Sequence, residues 1–144
     1  MLVIVSELTW EQLVQKIGVS EANKELDKRT KEIFDTLKDL TSVYNNDNSL
    51  QERVKVLKPV WYPARDQYKR TVLHLAALTG NTRLVRALVF VGALVNEQDG
   101  ISQTPLTLAL HKSHVNTAKF LIDVGASVDN TFIEHPIARY KSPR

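Results

Sequence analysis

The sequence contains no cysteine, and this absence excludes several kinds of site. Disulfides, thiolate nucleophiles, and zinc or iron–sulfur centres built on cysteine all require a residue that the chain lacks. The chain also has no Asn-x-Ser/Thr acceptor for N-linked sugar. Both absences suit an intracellular protein, so we expect it in the cytoplasm or the nucleus.

Glycine is scarce, with five residues, at positions 18, 80, 92, 100 and 125. Phosphate-binding loops need closely spaced glycines, so nucleotide binding through such a loop is excluded. No Gly-x-Ser-x-Gly elbow of a serine hydrolase occurs. His111 and His114 form the one close histidine pair, but no acidic ligand stands beside them. We therefore predict no catalytic residue, no metal ligand and no cofactor, and expect neither an enzyme nor a small-molecule substrate.

Long hydrophobic runs are missing as well. The apolar start Leu2–Val5 follows no basic region and ends at Ser6, which is too short for a signal peptide or a membrane span. We predict no insertion into a membrane.

The formal charge of +3 is unevenly distributed along the chain. Residues 1–65 carry ten acids and ten bases, residues 66–130 five acids and six bases, and residues 131–144 one acid and three bases. Most of the excess therefore lies in a short C-terminal tail. Nucleic-acid binding stays an alternative, but the bases available for it are sparse; they are Lys69, Arg70, Arg139, Lys141 and Arg144.

The most informative feature is an internal repeat with a period of 33 residues. The matching residues are mostly apolar, small or turn-forming, which are the types that packing dictates. In the first unit they are Asp66, Thr71, Leu73, Leu75, Ala76, Leu88, Val91, Gly92, Ala93 and Val95; in the second they are Asp99, Thr104, Leu106, Leu108, Ala109, Leu121, Val124, Gly125, Ala126 and Val128.

Local signals predict a pair of helices in each unit. Thr71 can cap a first helix, and Gly80 can take the positive φ at its end. A second helix is predicted at about Arg83 to Val91, with Gly92 as its stop. The second unit repeats these signals at Thr104, Pro105 and Gly125.

The residues Thr71-Val72-Leu73-His74-Leu75-Ala76-Ala77, with Gly80 and Gly92-Ala93, resemble the ankyrin repeat and its Thr-Pro-Leu-His-x-Ala-Ala signature. Thr104-Pro105-Leu106-Thr107-Leu108-Ala109 with Gly125-Ala126 is similar. The resemblance implies an all-α ankyrin-repeat helical solenoid of two full repeats with β-turn fingers. Several positions depart from the family pattern, and they put local turn geometry in question more than the fold: Val72, Thr107, Leu110, Ser113, Lys69 and Ser102.

Two repeats are fewer than such an array needs, so the flanking sequence must cap the stack or belong to a longer array. The pattern Thr9-x-x-Gln12 predicts a capped helix that stops at Gly18, and Ser20 opens a longer amphipathic helix. After a turn at Asn45–Asn48, Ser49 is predicted to cap a third helix that ends at Pro59. Trp61-Tyr62-Pro63 is interpreted as a linker. We expect a three-helix cap here; a separate binding module is the alternative.

These observations divide the chain into four segments: an N-terminal helical region at 1–65, a first repeat at 66–98, a second at 99–130, and a partial third repeat or tail at 131–144. The oligomeric state is left open by the sequence.

The resemblance implies binding of a protein partner, as an adaptor or scaffold, through the fingers and the exposed side of each first helix. Carried over by position, it predicts these contact residues: Gln67, Tyr68, Arg70, Leu78, Thr79, Gly100, Ile101, Gln103, His111 and Lys112. We expect Tyr68→Ala with Arg70→Ala to abolish partner capture and to leave the melting curve unchanged. The alternative is a regulatory or targeting fragment of a larger multidomain protein.

Overall fold

The computed structural model describes residues 9–128, and that part of the chain is helical and contains no strand. None of the helices within it is long and apolar enough to cross a membrane. The elements are α1 (Trp10–Val43), α2 (Asp47–Val56), α3 (Lys58–Trp61), α4 (Val72–Thr79), α5 (Thr82–Phe90), α6 (Pro105–His111) and α7 (Val115–Asp123).

Helix α1 begins at the predicted capping box. The Thr9 hydroxyl accepts a hydrogen bond from the Gln12 amide at 3.3 Å, and the Gln12 side chain accepts one from the Thr9 amide at 2.9 Å. Gly18 interrupts the helix with φ 83° and ψ 166°, so the predicted stop at Gly18 is confirmed. The longer helix that follows buries Phe34 and Leu37 in the main core.

The sequence interpretation of α2 and α3 was wrong in its details. Asn46, rather than Ser49, caps α2, because its side chain accepts hydrogen bonds from the amides of Asn48 and Ser49. Helix α2 ends at Val56, before Pro59. Pro59 instead lies in the first turn of the short helix α3, where a proline lacks only an amide that would be unpaired in any case.

The helices of both repeats start where their caps predict. Thr71 and Thr104 cap α4 and α6, each accepting from the backbone amide three residues on. Helix α4 ends at Gly80, which takes φ 74°. A Cβ built on Gly80 would lie 2.5 Å from the imidazole of His114, so both the conformation and the space demand glycine.

The helices stack in pairs around a shared apolar core. Helix α4 packs on α6, and α5 packs on α7, while α1 packs on α4 and α5 and α2 packs on α5. The N-terminal helices therefore lie over the first repeat, where a cap would lie. The largest fully buried apolar side chains of this core include Leu37, Leu50, Trp61, Leu73, Leu84, Leu88, Leu106 and Leu121. Trp61 is held in place by a hydrogen bond from its indole nitrogen to the Val54 carbonyl at 2.8 Å.

One arginine joins the N-terminal helices to the first repeat. The Arg83 guanidinium on α5 donates to the carbonyl oxygen of Thr41 at 2.6 Å and to that of Tyr44. It also pairs with Asp47 at 2.8 Å. Because the last carbonyls of α1 have no partner within the helix, Arg83 supplies the hydrogen bonds and the positive charge that this helix end favours.

Three positions where the family pattern has glycine take positive φ in this chain. Lys69, Ser102 and Ser113 have φ of 62°, 64° and 59°. A side chain makes this left-handed conformation costly by about 1–2 kcal/mol per residue. The turn geometry is therefore kept, and these three residues carry local backbone strain.

Several sequence predictions lie outside the described residues. They are the partial third repeat or tail at 131–144 and the basic residues Arg139, Lys141 and Arg144 of the nucleic-acid alternative.

Candidate partner-binding surface

The first finger is the turn at 66–70, which a buried carboxylate holds in shape. One Asp66 oxygen accepts hydrogen bonds from the amides of Tyr68 and Arg70, both at 2.9 Å. The other oxygen binds the Arg70 guanidinium at 2.7 Å. The backbone closes the turn through the Lys69 amide, which donates to the Asp66 carbonyl at 2.9 Å. The tip residue Tyr68 thus projects from a rigid base.

The second finger, at 99–103, repeats this arrangement. One Asp99 oxygen accepts from the amides of Ile101 at 3.0 Å and Gln103 at 2.8 Å. The Ser102 amide donates to the Asp99 carbonyl at 3.1 Å. Gln103 stands where the first finger has Arg70, so this finger lacks the corresponding ion pair.

Two contacts hold the fingers side by side. The Gly100 amide donates to the Tyr68 carbonyl at 2.8 Å, and a Cβ on Gly100 would lie 3.2 Å from that oxygen. The imidazole of His74, on α4, hydrogen-bonds through Nε2 to the Gln103 carbonyl at 2.9 Å. The two turns therefore form one surface with a defined spacing.

His74 is fully buried and neutral in this role. Its Nδ1 accepts from the Thr71 amide at 3.1 Å, while its Nε2 must donate, because the Gln103 carbonyl can only accept. Desolvation by burial lowers the pKa of His74, although the hydrogen bond to Gln103 acts in the opposite direction. A proton on Nδ1 would break the bond from Thr71.

The two fingertips present apolar side chains to solvent. Tyr68 is 56% exposed and Ile101, at the equivalent position, is 75% exposed. The Arg70 guanidinium lies over the Tyr68 ring, 5.1 Å from its centroid, and limits the freedom of the ring. Large side chains held in one conformation lose little entropy on binding, which suits them to contact a partner.

A groove of about 430 Å³ runs between the fingers, with the mostly buried Leu108 of α6 in its lining. It brings together six of the ten predicted contact residues. These are Gln67, Tyr68, Arg70, Gly100, Ile101 and Gln103.

The sequence matches the family profile of ankyrin repeats in three copies, over residues 40–131. This span covers more than half of the chain. The protein belongs to the ankyrin-repeat family. The resemblance drawn from the two 33-residue units is thus confirmed, and so is the helical solenoid. The match begins at residue 40 rather than 66, and so takes in the end of α1 and all of α2.

Curated relatives of this ankyrin-repeat chain include two named as regulatory proteins and one named as a GTPase-activating protein. Human protein phosphatase 1 regulatory subunit 27 is 39% identical over 59 residues, which are 41% of this chain and 38% of that protein. The Drosophila melanogaster ARF GTPase-activating protein Git is 34% identical over 89 residues, 62% of this chain and 12% of that protein. The phosphate system positive regulatory protein PHO81 of Saccharomyces cerevisiae is 34% identical over 79 residues, 54% of this chain and 7% of that protein. The alignments therefore span well under two thirds of each relative.

The other four predicted contact residues lie outside the groove of the ankyrin fingers. Leu78 is half-buried, and its carbonyl accepts from His114 at 3.0 Å. Thr79 is exposed and donates to the Ala76 carbonyl at 3.1 Å. His111 and Lys112 are exposed at the end of α6, and His111 lies 3.5 Å from the side chain of Gln103, which lines the groove. The histidine pair 111 and 114 thus faces two different sets of partners.

The sequence did not predict that α1 contacts the first ankyrin finger and lines part of the surface beside it. Both the amide and the side chain of Gln67 donate to the Asp27 carboxylate, at 3.0 and 2.6 Å. A second depression, of about 310 Å³, lies between α1 and the first finger. Its lining from α1 comprises Asp27, Thr30, Lys31, Phe34 and Asp35. No local signal marks a contact between residues 40 positions apart.

Proposed function

We propose that this chain is a protein-interaction module that holds a partner across the two fingers. Ankyrin repeats as a family imply protein–protein interaction, and the observation that carries the specific surface is the pair of exposed fingertips, Tyr68 and Ile101. Both project from turns braced by buried carboxylates. An aliphatic or aromatic side chain of the partner would enter the groove lined by Leu108.

The charges of the surface favour a partner that binds mainly through apolar contacts. Arg70 is already paired with Asp66, and Gln67 is already bonded to Asp27. Breaking either contact to bind a partner would remove a side-chain donor from a carboxylate, at a cost in free energy. Lys112 remains exposed at the end of α6 and supplies positive charge for an acidic group near the groove.

The Arg70 contact changes the choice of variants. Arg70→Ala would leave the buried Asp66 carboxylate without its charged partner, so we no longer expect an unchanged melting curve for Tyr68→Ala with Arg70→Ala. Tyr68→Ala with Ile101→Ala removes two exposed side chains and leaves the bracing hydrogen bonds, which come from backbone amides, in place.

Quantitative mass spectrometry after affinity purification from the native cell tests the proposal. The wild-type chain is compared with Tyr68→Ala/Ile101→Ala and with Val43→Ala, a control that truncates another exposed apolar side chain. We expect proteins that are enriched by the wild type and the control but lost with the fingertip variant. Identical sets of captured proteins from all three chains would contradict the proposal.

We further infer a regulatory role within a larger assembly rather than catalysis by this chain. The support is the family, together with relatives named as regulatory proteins. We expect the purified wild-type chain to bind its partner and to turn over no substrate. A reaction catalysed by the purified chain would contradict this inference.

A further inference from the structure

A second exposed apolar surface lies away from the fingers, at the C-terminal ends of α2 and α5. Phe90, in the last turn of α5, is 74% exposed, and Leu94, just beyond it, is 50% exposed. Val56, in the last turn of α2, and Tyr62, just after α3, are also exposed. We call Val56, Tyr62, Phe90 and Leu94 the helix-end patch.

Contacts in the structure bring together Tyr62, Leu94 and the loop that follows Phe90, while Val56 lies two residues before Lys58 at the end of α2. Tyr62 and Leu94 line the same shallow depression. The Lys58 ammonium lies 5.0 Å from the centre of the Tyr62 ring and also reaches Gly92, where a Cβ would lie 2.5 Å from it. Gly92 separates Phe90 from Leu94 along the chain. The Lys58 ammonium thus lies between the Tyr62 ring and the loop that joins Phe90 to Leu94.

The second repeat indicates that the fold does not require apolar residues here. The positions 33 residues after Phe90 and Leu94 are Asp123 and Ser127, and both are exposed. The same helix end and the same loop therefore form with polar side chains. Exposed Phe and Leu in the first repeat call for a different explanation, and contiguous exposed apolar residues commonly mark interaction sites.

Charge around the patch is predominantly positive. Arg53 and Lys55 are exposed on the last turns of α2, and Lys58 follows. The acidic residues nearby are Glu52 on α2 and Asp123 at the end of α7, the helix that packs on α5. Arg65 and Glu97 pair with each other at 3.5 Å along the depression and add no net charge.

We propose that the helix-end patch docks this protein on an anionic membrane surface, with its apolar side chains in the interfacial region and Arg53, Lys55 and Lys58 against the headgroups. Peripheral membrane binding combines apolar groups that enter the interfacial region with cations that attract anionic lipid. The patch supplies both, since its apolar side chains project from helix ends and are flanked by cations. Tyrosine suits this depth, because its ring is apolar and its hydroxyl meets water.

The shape of the patch disfavours two other occupants. The depression between Tyr62 and Leu94 holds about 20 Å³, which is too little for an anchor side chain of a protein partner. A second copy of this chain would bring the same cations, Lys58 among them, against each other across a two-fold axis. Four projecting side chains also fall well short of the roughly 800 Å² per partner that a stable interface buries.

Vesicle co-sedimentation of the full chain tests this proposal. The vesicles are phosphatidylcholine alone and phosphatidylcholine with about 30% phosphatidylserine, at about 0.1 M salt, where the Debye length is about 10 Å. We expect binding to the anionic vesicles only, weakened severalfold when the salt is raised to about 0.5 M.

Variants taken from the chain itself provide the matched comparison. Phe90→Asp with Leu94→Ser gives the first repeat the residues of the second, and we expect it to weaken vesicle binding at least about tenfold. Arg53→Gln with Lys55→Gln leaves the apolar side chains intact and should also weaken binding; it keeps the test valid if the first variant folds poorly. The fingertip variant Tyr68→Ala/Ile101→Ala should bind vesicles like the wild type.

Three results would overturn the proposal. The first is no preference of the wild type for anionic vesicles. The second is wild-type binding by both patch variants. The third is a wild-type dimer in solution that Phe90→Asp/Leu94→Ser converts to monomer, since this would make the patch a contact between two copies of the chain.

Discussion

At the scale of single residues, the carboxylates of Asp66 and Asp99 and the imidazole of His74 position the candidate surface. Each carboxylate turns two backbone amides toward itself, and His74 fastens the second finger to the first repeat. Buried polar groups of this kind stabilise a fold only when every hydrogen bond is made. The protonation state of His74 is therefore part of the account.

Stability should depend on pH through His74. Because burial lowers the pKa of His74 in the folded state below the unfolded value of 6.5, the unfolded chain takes up a proton first as the pH falls. The free energy of unfolding should therefore fall as the pH drops below 6.5 toward the lowered pKa, and level off below it. Urea unfolding across this range measures the effect.

His74→Thr is the matched variant, since Thr107 occupies the equivalent position of the second repeat. At neutral pH we expect it to lower the free energy of unfolding by about 1–3 kcal/mol, because the hydrogen bond to Gln103 is lost. It should also flatten the pH profile relative to the wild type. An identical pH profile in both chains would rule out His74 as the titrating group.

Relief of strain at Ser113 gives a second test at this scale. Ser113 has φ 59°, so Ser113→Gly should raise the free energy of unfolding, by up to about 1 kcal/mol. Its neighbour Lys112 has φ −96°, where glycine brings only added freedom to the unfolded chain, so Lys112→Gly should destabilise by up to about 1 kcal/mol. Chemical denaturation measures the free energy of unfolding of both variants. A change of the same sign in both would contradict strain at Ser113 as the cause.

At the scale of elements, Arg83 couples the end of α1 to the first repeat. Arg83→Met keeps the apolar stem and removes the donors to Thr41 and Tyr44, so we expect a loss of about 1–2 kcal/mol, moderated by the partial exposure of the side chain. Arg86→Met on the same helix, which removes only a cation–π contact with Phe120, should cost less. Equal losses of stability in thermal melts would show that the contacts of Arg83 with Thr41, Tyr44 and Asp47 contribute nothing specific.

The helices of the repeats were predictable because cap, period and stop agree there. Thr71, Thr104 and the glycines at 80, 92 and 125 all lie where the pattern predicted. The start of α2 was not predictable, since Asn46 and Ser49 are both good caps and the local sequence does not distinguish them. The contact of Gln67 with Asp27 could not be predicted from the sequence either, because it depends on how α1 packs against the first finger.

At the scale of the whole molecule, the helices before residue 62 complete a stack that two repeats alone would leave open. Helix α1 packs on α4 and α5, and α2 packs on α5. The family match beginning at residue 40 includes part of this region. Nearest-neighbour stacking is the main source of stability in such arrays.

A chain that starts at residue 62 should therefore fail to fold cooperatively. It would expose the faces of α4 and α5 that the N-terminal helices cover and lose the core residue Trp61. Circular dichroism should record a broad, noncooperative melt for this fragment and a sigmoidal one for the full chain. A sigmoidal melt of the fragment at the same temperature would contradict a stabilising role of the N-terminal helices.

Calorimetric titration with a purified captured partner tests the claim that a partner binds across both fingertips. Tyr68→Ala and Ile101→Ala are each expected to weaken binding by about 2 kcal/mol, with a larger loss in the double variant and unchanged thermal melts. A double variant that binds with the wild-type dissociation constant would contradict the claim.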